Sequence, residues 1–293
     1  MVDVSREQVL VTGAAGKLGR AVVADLLDAG HQVVAVDRRQ PEEDPGTRFV
    51  RLEGDDVPGL AAALEGCTAL VALASVPSPG SLPPHQLFRD NTQAAFVALQ
   101  VATAAGVRRA VVASSGSAYV TAWSPRPTMV DEVPVREEHP LRNAEEYGLS
   151  KQVSEEIAAM FCRRHPDLSV AALRFHWIAT AEEQRERMTA QRGGPRDWPE
   201  ELRQMWGYVD LRDAARACRL AVETAQRRPY GFAVLNVVAA DLLADETLDA
   251  LLSAHAPHVR RSPGGPSAGG AFAIDRAREV IGWEPRHSWR DLD

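Results

Sequence analysis

The chain has 293 residues, 45% hydrophobic and 25% charged, enough for one sizeable core with a smaller lobe beside it. Its net charge is −7 and its basic residues form no block beyond pairs such as Arg38-Arg39 and Arg227-Arg228, which argues against a nucleic-acid partner. Three scattered cysteines without a CxxC pair (Cys67, Cys162, Cys218), a polar start and apolar runs too short for a bilayer point to a cytoplasmic protein with no membrane partner.

In chain order, QVLVT (8–12) reads as a first strand. It breaks into glycines at Gly13, Gly16 and Gly19, and a helical pattern follows, apolar at 18, 22, 26 and 29 and stopped by Gly30. Further strands are expected at 32–37, 48–53, 69–75, 108–115, 169–175 and 232–238, with helices at 59–65, 87–105, 146–164 and 212–226. The strands are almost continuously apolar, as parallel strands covered on both faces are. Strand–helix alternation at this spacing predicts an α/β fold built on a doubly wound parallel sheet. Residues 181–205 are charged and interrupted by Gly and Pro, and 262–271 (SPGGPSAGGA) reads as a flexible loop. The expected organisation is a sheet domain of 1–175 with 206–240, and a small substrate lobe of 176–205 with 241–293.

VLVTGAAGKLG (9–19) places its glycines where a strand turns into a helix. Glycine lets a pyrophosphate approach the backbone, and the helix N-terminus offers free N–H groups. The spacing is G-x-x-G-x-x-G rather than G-x-G-x-x-G, so a plain tight turn is the alternative. Asp37 ends the second strand, eighteen residues after Gly19. A carboxylate there accepts hydrogen bonds from both adenosine ribose hydroxyls and repels a 2′-phosphate, which favours NAD over NADP. Arg38 and Arg39 follow and could tolerate that phosphate. A surface loop acid is the bland reading of Asp37. Tyr147 and Lys151 stand four apart and share a helix face, where an ammonium beside a phenol lowers its pKa toward working pH. That would make Tyr147 a general acid and base. YxxxK alone equally describes a solvated face. Ser114 and Ser115 end a strand at the edge where ligands bind, or serve only the turn.

Together, TGAAGKLG, Asp37, ASSGSAY (113–119) and YGLSK (147–151) resemble the short-chain dehydrogenase/reductase superfamily. Length and late segments resemble its extended branch, the NAD-dependent epimerase/dehydratase family. The resemblance implies a Rossmann-type domain with NAD held by Gly13, Gly16, Lys17, Leu18, Gly19, Asp37, Arg38, Tyr147 and Lys151. RLEGD (51–55) is similar to the family's adenine-side segment, placing Asp55 there with Asp56 beside it. ALASV (72–76) resembles the turn lining the cofactor, with Leu73, Ala74 and Ser75. RDNTQAAFVAL (89–99) resembles the segment carrying a structural Asn, here Asn91. YVDLRDAARA (208–217) and AIDRAREVIGWEPRHSWRD (273–291) resemble its late segments. The implied triad is Ser115, Tyr147 and Lys151, with Ser114 as the fallback serine. The relatives imply a homodimer through the helices at 87–105 and 146–164.

The pattern also departs from the family. Ala72 replaces a frequent His, Val120 follows Tyr119 where Gly is usual, and Trp177 stands where many members carry an Asn that contacts a nucleotide-sugar diphosphate. An indole cannot reproduce an amide's hydrogen bonds. Arg185, Arg187, Arg192, Arg196 and Arg203 are scattered among acids. These departures leave room for a small polyol, a free sugar or a sugar acid, and the cofactor half also resembles uronate dehydrogenases. Ser115, His176 and Trp177 are the candidate substrate contacts; His176 and Trp206 equally suit core packing. His255 and His258 read as a loop rather than a metal site. VPSPGSLPP (76–84) is either a lid or an inert loop. The expected function is an NAD-dependent oxidoreductase on a hydroxyl or carbonyl of a sugar-like or small polar substrate. A redox-neutral epimerase or dehydratase that retains NAD, and a non-catalytic NAD-sensing protein, are the alternatives.

Overall fold

Runs such as QVLVT and SVAALRF expose no polar stripe, so both faces of the sheet they form must be covered. The computed structural model describes residues 6–44, 46–119, 122–123, 130–263 and 269–292. In chain order its elements are β1 (Gln8–Thr12), α1 (Lys17–Asp28), β2 (Gln32–Asp37), β3 (Arg48–Arg51), α2 (Val57–Ala63), β4 (Ala69–Ala72), α3 (Pro84–Ala104), β5 (Arg109–Ser115), β6 (Glu132–Val133), α4 (Glu146–Arg164), β7 (Ser169–Phe175), β8 (Trp177–Ala179), α5 (Ala181–Gly193), α6 (Trp198–Gln204), β9 (Tyr208–Asp210), α7 (Leu211–Arg227), β10 (Phe232–Val237), α8 (Leu248–His255), β11 (Arg260–Arg261) and α9 (Asp275–Ile281). Seven parallel strands form the central sheet in the order β10-β7-β5-β4-β1-β2-β3. The chain winds outward from β1 through β2 to β3, then returns to β4 and winds the other way. The β1/β4 junction is therefore the switch point, where carboxyl ends diverge and leave a crevice.

Successive residues of a strand face opposite sides. Val9, Val11, Val71 and Leu173 accordingly join one buried cluster, with Val22 and Leu26 of α1 and Ala214 and Ala221 of α7. Leu10, Val34, Leu70 and Val112 join the other, with Leu99 of α3 and Phe161 of α4. Phe96 on α3 and Leu149 on α4 remain exposed. Among the described residues no helix is long and apolar enough to cross a membrane.

Two expectations are corrected. Strands β3 and β4 end at Arg51 and Ala72, earlier than predicted, because the chain leaves the sheet at once to line the crevice. The charged stretch 181–205 is not irregular: it holds α5 and α6. Thr180 and Glu183 form a reciprocal capping box at the start of α5, and Asp197 caps α6 with Pro199 in its first turn. Of 206–240, β10 joins the central sheet and α7 packs on it, while β9 pairs with β8 outside it. Residues 264–268 of the expected loop, and Val120, lie outside the described residues. The C-terminal segment returns to α7: the indole of fully buried Trp283 donates to the Asp213 carbonyl at 2.9 Å, and the Asp213 carboxylate accepts the N–H groups of Arg286 and His287 at 2.8 Å each.

Gly19 sets how closely α1 approaches the end of β1. A Cβ there would overlap the Gly13 carbonyl and stand 2.7 Å from the Ala14 Cα. Both are backbone and cannot swing away. Gly19→Ala is expected to destabilise the fold by about 2 kcal/mol or more, read as a lowered thermal midpoint.

Candidate active site

The glycine turn packs against the end of β4. Gly13 has φ +71°, and a Cβ on it would lie 2.8 Å from the Ala74 amide nitrogen. Gly16 precedes α1 in extended conformation and supplies no side-chain cap. The first N–H groups of α1, at Lys17, Leu18 and Gly19, thus open on the crevice with the positive end of the helix behind them. Buried Asp37 ends β2. Its carboxylate accepts the Ala15 N–H at 3.0 Å and the Arg39 N–H at 2.9 Å, so it braces the turn while each oxygen keeps acceptor capacity. Arg38 is exposed, and its carbonyl accepts from Arg51 at 2.9 Å. Asp56 caps α2 through the Gly59 N–H at 2.9 Å, and Asp55 stands exposed beside it. Asn91 is buried, with its amide spent on the Val76 N–H (2.7 Å), the Val76 carbonyl (3.1 Å) and the Ser150 hydroxyl (3.1 Å). It shapes the turn carrying Leu73, Ala74 and Ser75 and ties that turn to α4. The expected lid, 76–84, follows this turn and leads into α3 at Pro84.

Ser115, Tyr147 and Lys151 come together at the carboxyl end of β5. Glu145 starts α4 by accepting the N–H groups of Tyr147 and Gly148 at 2.5 and 2.6 Å, which fixes the first turn where Tyr147 sits. The Ser115 hydroxyl lies within hydrogen-bonding reach of the phenol and also accepts the Ser117 N–H at 3.1 Å. The Lys151 ammonium lies 5.5 Å from the phenol ring centre and donates to Ser75 Oγ at 3.0 Å and the Ala113 carbonyl at 3.2 Å. One expectation is reversed here. Burial pushes the Tyr147 phenol up to about 12; Ser115 draws it down and Glu145 pushes it further up. Burial also pushes Lys151 down to about 8. The ammonium is held by Ser75 and Ala113 rather than against the phenolic oxygen, so desolvation outweighs attraction.

The fallback serine is committed elsewhere. Ser114 points to the opposite face of β5, where its hydroxyl donates to Glu155 at 2.5 Å. Arg174 of β7 meets the same carboxylate with two bonds, 2.8 and 2.7 Å, donates to the Glu137 carbonyl at 3.0 Å, and lies 4.4 Å over the Tyr119 ring. Glu155 is one turn past Lys151 on α4. This buried pair therefore locks the helix that carries Tyr147 and Lys151 against the sheet.

On the lobe side, His176 packs between two glycines. A Cβ on Gly116 would stand 2.5 Å from its ring, and one on Gly207 3.0 Å from Nδ1. The ring also lies 3.9 Å from that of Phe272. Burial, helped by the Arg174 charge, pushes the imidazole down to about 3, so it is neutral. Its Nε2 is buried without a hydrogen-bond partner among the described residues. Gly207 in turn borders a cavity of about 140 Å³, walled also by Trp177, Arg187, Gln191, Gln204, Trp206 and Leu243; His176, Ser115, Tyr147 and Lys151 do not line it. Met205 and Trp206 both adopt the left-handed conformation (φ 50° and 53°), a strained turn that delivers Trp206 to this wall. Its indole donates to Glu201 at 3.1 Å. Gln191, Gln204 and Arg187 had no sequence signal of their own, but the T-x-x-E cap before 181 marked the helix that carries two of them. His255, set aside as a metal ligand, stacks on Trp198 at 4.1 Å.

The open helix N-terminus, glycines whose Cβ positions would be blocked, and an acid at the tip of β2 fit a dinucleotide. A model of the NAD dependent epimerase/dehydratase family matches residues 9–237. The chain belongs to this family. Within reach of the family, an L-arabinose 1-dehydrogenase (NAD(P)(+)) of Haloferax volcanii is 30% identical over 223 residues, covering 74% of this chain and 83% of that protein. A UDP-glucose 4-epimerase of Corynebacterium glutamicum is 25% identical over 316 aligned positions, covering 96% and 92%. Among solved structures, MoeE5 in complex with UDP-glucuronic acid and NAD superposes with a TM-score of 0.72 at 28% identity, covering 97% of this chain and 96% of that one. Family members thus include both NAD-linked dehydrogenases and epimerases.

Proposed function

We propose that this family member is an NAD-dependent dehydrogenase of a free, uncharged sugar or similar polyol. The observation that carries the proposal is the cavity beside Gly207. At about 140 Å³ it is well below the ~300–1,000 Å³ of clefts that take larger ligands. It offers two indoles and two side-chain amides, a suitable lining for a sugar ring. Its arginine, Arg187, is paired with Glu200 at 3.4 Å, and Glu201 is held by Arg196, so an anionic substrate finds no spare cation in the lining. That favours a neutral sugar over a sugar acid or a nucleotide sugar. The Haloferax volcanii relative, named for a free aldose, supports this choice.

The roles follow from position. The N–H groups of Lys17, Leu18 and Gly19 would hold the pyrophosphate of NAD, Asp37 the adenosine ribose, and Lys151 the nicotinamide ribose. Bound NAD supplies the hydride acceptor. Tyr147 takes the substrate hydroxyl proton, and Ser115 donates to the same oxygen and orients it. His176, neutral and wedged against Gly116 and Gly207, would brace the wall that Gly207 gives the cavity.

The test is a screen of free aldoses and polyols with NAD, followed at 340 nm. Turnover is expected with a neutral pentose or hexose and not with uronates or UDP-sugars. Turnover of a UDP-sugar, or NAD retained stoichiometrically through purification, would move the assignment to the epimerases.

A further inference from the structure

Lys17 opens α1 directly beyond the glycine turn, but its side chain does not belong to that turn's contacts. The ammonium donates to the Ile178 carbonyl at 2.9 Å and to both carboxylate oxygens of Glu183 at 2.9 Å. Those partners sit on β8 and α5, which leave the sheet from β7. In the sheet, β7 is three places from β1, with β4 and β5 between. Neighbouring strands lie ~4.8 Å apart, so the two sides start roughly 14 Å from each other. The contact therefore ties the start of α1, beside the glycine turn, to the segment that follows β7. Glu183 does not drift: its other bonds are to Thr180, 2.8 Å from the Thr180 N–H and 3.2 Å from its own N–H to Thr180 Oγ, which close the capping box of α5.

We propose that Lys17 and Glu183 form a clasp across the cofactor crevice, which must open for the dinucleotide to enter or leave and so retains it during turnover. The proposal rests on the NAD reading above. Side-chain exposures of 40% and 37% mean that the pair adds little to folding. Its effect comes from where it lies. It joins the half of the molecule that carries the glycine turn to the half that carries the substrate cavity.

The test is the rate at which NADH leaves, measured by stopped-flow fluorescence with excess NAD as the chase, so no substrate is needed. Glu183→Gln is the decisive variant, because Gln still closes the capping box but no longer pairs with Lys17. The clasp predicts faster NADH release, by about two- to fivefold, the rate equivalent of an exposed ion pair. Simple electrostatics predicts the opposite: removing a negative charge beside an anionic ligand slows its release. Lys17→Met should accelerate release similarly, and the double variant should be no faster than the quicker single one, since both break one contact. Release from Glu183→Gln that is unchanged or slower, or effects that multiply in the double variant, overturns the clasp while leaving NAD binding in place. A wild-type chain that binds no NADH overturns the cofactor reading and the clasp with it.

Discussion

Tyr147→Phe is expected to lower turnover by about 10²–10⁴-fold while leaving NADH binding, followed by fluorescence, largely unchanged. The phenol is 8% exposed, and its removal leaves the hydrophobic ring contacts intact. What is lost is the proposed proton acceptor beside Ser115. The pH profile gives a second handle. With the phenol pushed up to about 12, its base form is scarce at neutral pH, and oxidation rises about tenfold per pH unit below the working pKa. Lys151→Met removes the ammonium proposed to hold the nicotinamide ribose, so turnover is expected to fall and the KM for NAD to rise. Stability should move the other way. Burial holds the Lys151 pKa at about 8, below its ordinary value, so the unfolded chain binds more protons from there up to the ordinary lysine range. The cost of the buried ammonium is thus complete below pH 8 and relieved as pH rises. Lys151→Met is therefore expected to raise the thermal midpoint at pH 7 relative to wild type, a site paying in stability for its chemistry.

Glu155→Leu or Arg174→Leu alone is expected to destabilise the fold by about 3–5 kcal/mol, because each leaves its partner as an uncompensated buried charge. The side chains are 6% and 3% exposed, so water cannot compensate. Burial opposes the Arg174 charge, but Glu155 and the Tyr119 contact outweigh it and hold the guanidinium charged. The double substitution to Leu should be markedly less harmful than the sum of the singles, since no orphaned charge remains. Ser114→Ala removes one bond to Glu155 and should cost about 1 kcal/mol. Denaturant melts of the four variants check the set. Additive effects of the two Leu substitutions would contradict a coupled pair.

The sheet and the cofactor turn were legible in the chain because both are local. A continuous apolar run states a strand covered on both faces, and three glycines after it state a close backbone approach. Tyr147 and Lys151 were legible for the same reason, since four residues on a helix fix a shared face. The stretch 181–205 was misread because its charge hid the helical pattern. Its helices rest on caps at Thr180 and Asp197 and on burial of Gln184, Met188 and Leu202 rather than on an apolar stripe.

The sequence by itself determined the α/β architecture, the order of its strands and helices, and which residue types stand at the cofactor turn, since each depends on neighbours within a few positions. Only the tertiary structure decided how those groups are used. Ser114 and Ser115 are adjacent in sequence, yet strand geometry sends one to Glu155 and the other to Tyr147. Lys17 was placed with the phosphates, yet its ammonium reaches Glu183, 166 residues away. Trp177, Gln191 and Trp206 share one cavity wall although each comes from a different segment. Proximity across such distances, and the desolvation that sets the Tyr147 and Lys151 pKa values, are properties of packing, and no local pattern in the chain encodes them.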